Sequence, residues 1–365
     1  MNEPLKKTDH RDYRVVGLPG DGIGPEVYAC ARRVLNVLEQ THGLCIQLDE
    51  QKIGGDAIDA TGDPLPQATI DACRASDAAL LGAVGGPKWD NNPADRRPEL
   101  GLLRIRAEFN LFCNLRPIVT HPSLHSFSPL RPELLEEVDL MIVRELTGGS
   151  YFGKKWRNED EAEDVCRYTR EEIERVTRAA GRIAGLRDNR ITLVDKANVL
   201  ETSRLWRSVA SRVIEEEFPG VRMENMYVDA AAMHLLTRPS DFDVMLTENL
   251  FGDILSDEAS MLCGSLGLLP SASLNHEQFG LYEPVHGSAP DIAGQGKANP
   301  YAMLLSVAMM LRHSLGREAE AQALEQSIHE CWSAGILTRD LRADGCSTNE
   351  VTDAVCERLT GLAAV

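Results

Sequence analysis

Residues 242–267 read FDVMLTENLFGDILSDEASMLCGSLG. The run Phe242–Leu246 is short and apolar enough for a buried strand. Thr247-Glu248-Asn249 makes a polar turn, and a helical segment follows from Leu250. On that helix Asp253 and Asp257 are four residues apart, so they stack on one face. Like charges at this spacing repel by about 0.2–0.5 kcal/mol unless a cation sits between them. A hard divalent cation takes carboxylate oxygens, usually from one or two carboxylates and the substrate. A solvated acidic face is the alternative. Flanking Leu250, Phe251, Ile254, Leu255, Met261 and Leu262 predict a half-buried helix. The carboxyl end of a buried strand is where open α/β sheets bind ligands.

Similar strand ends occur nearby. Ile191–Val194 reads as a strand leading into Asp195-Lys196-Ala197-Asn198-Val199, and Met226–Val228 as one ending in Asp229. A lysine desolvated at such a point can have its pKa lowered enough to act as a base; an exposed turn lysine is the plainer reading. Further strands at 13–18, 44–48, 78–81 and 139–145 alternate with helical segments at 25–40, 66–74, 169–184 and 201–218. That order predicts an α/β chain with a mostly parallel sheet.

Glycine-rich loops follow two of the strands, at 19–24 and 82–86, the second containing Gly85 and Gly86. Neither is G-x-G-x-x-G, so the standard Rossmann fingerprint is absent. Each is a ligand loop or simply a tight turn. Gly148–Lys155 has the spacing G-x-x-x-x-G-K, but Lys155 stands where a P-loop needs a hydroxyl, so that reading is rejected. Glu99, Leu102, Leu103 and Arg106 share one helical stripe. The stripe lines a pocket for an apolar branch and a carboxylate, or it is a core face with a snorkelling arginine. Arg116 and Arg144 also end apolar runs, and arginine suits bidentate carboxylate binding. The charged segment from Tyr151 to Tyr168 reads as an exposed excursion, a hairpin arm. Leu281–Gly294 reads as a long ordered loop whose small residues let backbone approach a phosphate.

The chain has 365 residues, 43% of them hydrophobic and 26% charged, which suits about two globular domains. A net charge of −18 argues against nucleic acid or an anionic membrane as partner. Met1–Arg14 is polar and lacks the apolar core of a signal peptide, and the run Ala302–Leu311 is too short to span a bilayer. Nine cysteines without a C-x-x-C read as buried thiols in a reducing cytosol. A cytoplasmic enzyme is the expectation.

Seven motifs in order, GLPGDGIGPEV, GAVGGPKWD, NLRP, VRELTGGSYFGKK, DKANVLE, TENLFGDILSDEAS and YEPVHGSAPDIAGQGKANP, span about residues 13–360. Together they resemble the metal-dependent β-decarboxylating dehydrogenases, the isocitrate/isopropylmalate dehydrogenase family. The resemblance implies that family's own two-domain α/β fold rather than a Rossmann domain. The first domain would hold residues 1–112 and 265–365, and the second residues 113–264 with an arm at about 150–168. It also implies a homodimer with active sites shared between subunits. By position, Arg106, Arg116 and Arg144 would hold the substrate carboxylates. Asp253 and Asp257, with Asp229 of the other subunit, would hold Mg²⁺ or Mn²⁺. Lys196, also across the interface, would take the hydroxyl proton, with Asn198 beside it, and Tyr151 would protonate carbon. NAD would lie along Gly85, Gly86, Glu283, His286, Gly287, Ser288, Ala289, Asp291, Ile292 and Asn299, with Asp291 on the ribose. Glu99 would border the substrate. Leu102, Leu103 and Val199 would form an isopropyl-sized wall where an isocitrate enzyme needs polar groups, which favours 3-isopropylmalate over homoisocitrate, tartrate, malate or other 2-alkylmalates. A non-catalytic regulatory subunit would be expected to lack a metal carboxylate, the lysine or the tyrosine; all are present. Ser150 departs from the apolar residue expected before Tyr151.

Overall fold

The computed structural model describes residues 12–362 except residue 278. Most of the polar N-terminal segment, residues 1–11, and the last three residues of the expected first domain lie outside the described residues. The chain begins with β1 (Asp12–Gly20), α1 (Gly24–His42), β2 (Cys45–Glu50), α2 (Gly54–Thr61), α3 (Gln67–Arg74), β3 (Ala78–Ala83) and α4 (Pro98–Glu108). It continues through β4 (Cys113–Val119), β5 (Asp139–Glu145), β6 (Lys155–Arg157), β7 (Ala162–Asp164), α5 (Arg170–Gly185), β8 (Arg190–Asp195), α6 (Glu201–Glu217), β9 (Arg222–Tyr227) and α7 (Val228–Thr237). It ends with β10 (Val244–Thr247), α8 (Asn249–Ser260), β11 (Pro270–Leu274), β12 (Gly280–Pro284), α9 (Tyr301–His313), α10 (Glu318–Ser333) and α11 (Thr348–Leu362).

Ten strands form one sheet, ordered β2-β1-β3-β12-β11-β4-β5-β10-β8-β9. β2, β1, β3 and β12 run parallel, as do β5, β10, β8 and β9. Between these blocks, β11 is antiparallel to both β12 and β4, and β4 is antiparallel to β5. The mostly parallel α/β sheet is therefore present, with an antiparallel middle. Helices cover both faces, so a strand such as β3, AALLGA, is buried along its whole length. One core cluster joins Val15, Leu80 and Tyr282 to α1, α9 and the far block; another joins Val16, Leu18, Leu81 and Leu281 to Ile53, Leu65 and Ile105. The apolar run 302–311 lies within α9, where most residues are buried. Among the described residues, no helix is long and apolar enough to cross a membrane.

Local sequence explains several helix ends. Pro25 sits in the first turn of α1, and Gly43 ends that helix in the left-handed region. Thr169 and Glu172 cap α5 reciprocally. Strands β6 and β7 form a separate antiparallel hairpin, exposed throughout.

Several expectations need correction. Asp229 does not end a strand: β9 covers 222–227, and Asp229 lies in the first turn of α7. The stretch from Leu281 is not all loop, because Gly280–Pro284 is β12, beside an unanticipated β11. Helix α8 is half-buried as expected, but its buried side is small and polar as much as apolar, with Asn249, Gly252, Ser256 and Ala259, whereas Ile254 and, just past the helix end, Met261 are exposed. All nine cysteines are free thiols and five are buried, but Cys45 and Cys166 are exposed.

Candidate active site

Register places Asn114 opposite Arg144 and Arg116 opposite Ile142. Side chains alternate along strands, so Arg116 and Arg144 share one face of the sheet. Helix α8 lies across that face. Gly252 permits the close approach: a Cβ there would come within 2.3 Å of Thr247 Oγ1 and 2.7 Å of Arg144 Cγ. Both arginines are buried, Arg144 only 1% exposed.

Asp253 is the meeting point. It accepts from Arg144 Nη1 at 2.5 Å and from the Tyr151 hydroxyl at 2.6 Å, and Arg116 Nη2 lies 3.6 Å away. Arg116 also reaches Ser256 Oγ at 2.5 Å and Asp257 Oδ1 at 3.4 Å. The repulsion expected between the two aspartates is thus answered by two guanidinium groups. Their environments also push the carboxylates apart. Burial acts against the Asp253 charge, but Arg144, the Tyr151 hydroxyl and Arg116 outweigh it and hold its pKa below the ordinary value. For Asp257, burial and neighbouring Asp253 outweigh Arg116, and the pKa is raised. Burial and then the Asp253 carboxylate push the Tyr151 phenol up to about 12, so it stays protonated at neutral pH.

Arg106 joins this region from α4. Its Nη2 donates to Glu283 of β12 at 2.9 Å, and its Nε is buried without a partner. Arg106 is therefore a buried ion-pair partner rather than a snorkelling surface residue. Glu99, exposed, stands over Gly85. Leu102 packs on a core cluster, while Leu103 is half-buried and belongs to neither cluster.

Lys196 and Asp229 make an ion pair with each other, and the lysine's hydrogen bond holds the Asp229 pKa down. Among the described residues, no hydrogen bond or ion pair joins either of them to Asp253 or Asp257. Nor is any group of three His, Cys, Asp or Glu side chains gathered for a metal among those residues. Asn198 and Val199, following Lys196, are exposed, Val199 by 64%.

The loop after β12 is held against the first glycine loop. Ile23 N donates to Ser288 O at 2.8 Å, and Gly22, with φ +59°, sits where a Cβ would meet that carbonyl at 2.0 Å. Ala289 takes a left-handed φ of 35°. A Cβ at Gly287 would meet nothing within 4 Å, Ile292 is half-buried and Asp291 is exposed. His286 bonds Gly287 O through Nδ1, while its Nε2 is buried without a partner. Burial lowers the His286 pKa. Asn299 uses its amide internally, on Asp340 and on Tyr301 N.

Sequence reasoning missed the residues that hold these loops. Asp21 accepts backbone N–H groups from Gly55, Asp56 and Gly85 at 2.8–2.9 Å. Glu145, fully buried, accepts from Thr147 and Gly148 N and from Arg175. Tyr168 donates to Glu248, which caps α8 at Phe251 N. Only the Asp21 signal, an aspartate between glycines of a tight turn, was visible locally.

The isocitrate/isopropylmalate dehydrogenase family model matches residues 14–355. The chain belongs to that family. The "3-isopropylmalate dehydrogenase" of Heyndrickxia coagulans is 54% identical over 354 residues, covering 95% of this chain and 96% of the relative. The protein of the same description from Bacillus subtilis (strain 168) is 54% identical over 350 residues, covering 94% and 96%. Among solved structures, isocitrate dehydrogenase from Methylococcus capsulatus superposes with a TM-score of 0.85 at 36% identity, covering 95% of this chain and 99% of the other. Membership of the isocitrate/isopropylmalate dehydrogenase family thus extends over nearly the whole chain, including the arginine–aspartate cluster and the loop after β12.

Proposed function

We propose that this chain is an NAD-dependent and Mg²⁺- or Mn²⁺-dependent oxidoreductase that converts (2R,3S)-3-isopropylmalate to 4-methyl-2-oxopentanoate and CO₂ in leucine biosynthesis. The observation that carries the reading is the convergence of two buried arginines and a protonated phenol on Asp253. Relatives described as 3-isopropylmalate dehydrogenases, 54% identical over nearly the whole chain, support this substrate over isocitrate.

The residues present fit the two groups. Asp253 and Asp257 offer adjacent oxygen donors, the kind a hard divalent cation selects. Asp229 of a second subunit would complete the set. The orphaned Nε2 of His286, the open space at Gly287 and the exposed Asp291 carboxylate suit an adenosine. When bound, NAD⁺ supplies the hydride acceptor and the metal a Lewis acid for the substrate oxygens.

The chain's own residues do the rest. Arg106, Arg116 and Arg144 would orient the diacid by its carboxylates. Lys196, held by Asp229, would take the substrate hydroxyl proton. Tyr151, with its phenol pushed up to about 12, would keep its proton until carbon needs one after CO₂ leaves. The exposed apolar side chains Met233 and Leu236 on α7, Ile254 on α8 and Met261 just past the end of α8, two helices that pack together, support a homodimer seam there. The two parallel blocks would be the two domains, with the boundaries expected above, in a cytoplasmic enzyme.

The test is direct. Purified protein is given isopropylmalate, NAD⁺ and Mg²⁺, and NADH absorbance is followed against isocitrate and homoisocitrate. Turnover with isocitrate in preference to isopropylmalate would sink the substrate assignment.

A further inference from the structure

Asn249, the first residue of α8, is 1% exposed and uses its side-chain amide in two directions. Its Oδ1 accepts from Arg144 Nε at 3.1 Å and from Arg144 Nη2 at 2.7 Å. Its Nδ2 donates to Gly148 O at 3.1 Å, in the turn that leads to Tyr151. The backbone N–H of Asn249 donates to the Tyr168 hydroxyl at 2.9 Å, which fixes the start of the helix. The group that Arg144 still offers to the site is Nη1, aimed at Asp253.

We infer that Asn249 is a positioning residue, which aims Arg144 without cancelling its charge and ties the Tyr151 turn to the same amide. A neutral acceptor is the important choice. A buried guanidinium needs its N–H groups satisfied. A carboxylate in the same place would satisfy them more strongly, yet it would match the positive charge that a substrate carboxylate must meet. An amide satisfies two donors and leaves the charge available. It also carries a donor, which a carboxylate lacks, for the Gly148 carbonyl. One side chain thus sets the direction of an anion-binding arginine and the position of the proton donor. The inference takes its substrate from the function proposed above; the geometry is independent of it.

Asn249→Asp and Asn249→Ala in the full-length protein separate this role from simple support of the fold. Asp keeps the shape and the acceptors for Arg144, so its thermal midpoint is expected above that of Ala. Affinity is expected to rank the other way. The KM for isopropylmalate should rise by at least about tenfold in Asn249→Asp, the change that ~1.4 kcal/mol brings, and by less in Asn249→Ala. Both variants lose the donor to Gly148 O, so kcat should fall in both, with the KM for NAD⁺ little changed. An Asp variant milder than Ala in substrate KM, or an unchanged kcat in both, would overturn the inference. If the wild-type protein does not turn over isopropylmalate, the substrate reading has failed, and crystal structures decide the positioning role. Arg144 should stay in place in Asp and swing away in Ala, and the 148–151 turn should shift in both. Arg144 and Tyr151 unmoved in the Ala variant would refute it.

Discussion

Asp253 holds together charges that would otherwise repel: without it, Arg116 and Arg144 face each other in a buried site. Asp253→Asn keeps an acceptor but removes the negative charge. The expected outcome is loss of Mg²⁺-dependent turnover together with about 1–3 kcal/mol of stability, read by NADH assay and by urea unfolding. Normal turnover would remove Asp253 from the site. Asp291 is a second decisive residue, exposed in the loop after β12. A carboxylate accepts from ribose hydroxyls and opposes a 2′-phosphate, so the wild-type enzyme should prefer NAD⁺ over NADP⁺ by about a hundredfold or more (~3 kcal/mol). Asp291→Lys should lower kcat/KM for NAD⁺ and raise it for NADP⁺; an unchanged ratio would put the adenosine elsewhere. The Asp253/Asp257 pair was legible because its spacing is local to one helix. The partners of Asn249, Glu145 and Tyr168 were not, because a polar side chain in a single sequence does not say which distant group it will satisfy once buried.

At the scale of elements, periodicity located β5 over the residues expected, and α5 and α6 to within a residue or so of their bounds. It failed at β11 and β12, PSASL and GLYEP, which are short and lack β-branched residues. Their strand character comes from neighbours in the middle of the sheet. It read α8 as half-buried, which it is, but did not show that small and polar residues would make up much of the buried side. The end of α9 carries a pH prediction. Burial first, then neighbouring Arg312, pull the His313 pKa down to about 4 from 6.5, against Glu318 and Glu325, which raise it. The folded value lies below the unfolded one, so between these pH values the unfolded chain binds the extra proton. Stability should therefore fall as pH drops from about 6.5 to 4, by up to ~3 kcal/mol from this group. His313→Gln should flatten that part of the stability–pH curve; curves that stay parallel would show that the imidazole is not held neutral.

At the scale of the molecule, the separation of Lys196 and Asp229 from Asp253 is the feature with most consequence for assembly. If sites are completed by a second copy, a Lys196→Met chain and an Asp253→Asn chain repair each other. Random reassociation of the two dead proteins should restore about a quarter of the sites, since half of the dimers are mixed and each mixed dimer holds one intact site. Demonstrated heterodimers without NADH production would show that Lys196 serves its own chain.

The antiparallel middle of the sheet has a mechanical consequence. The chain leaves one block along β4 and comes back along the adjacent β11, so residues 120–269 form a closed excursion. Near the two ends of the chain, α1 and α11 pack on each other in the block that the chain leaves. A molecule gripped by its ends in an optical trap would therefore feel load in that block alone. The first rip should peel β1, α1, α9 and α11, while the excursion stays folded until β4 and β11 part. A second rip should then release about 150 residues, ~50 nm of chain at ~3.5 Å each. A single rip of the whole length would show that the shared core makes the two blocks one mechanical unit.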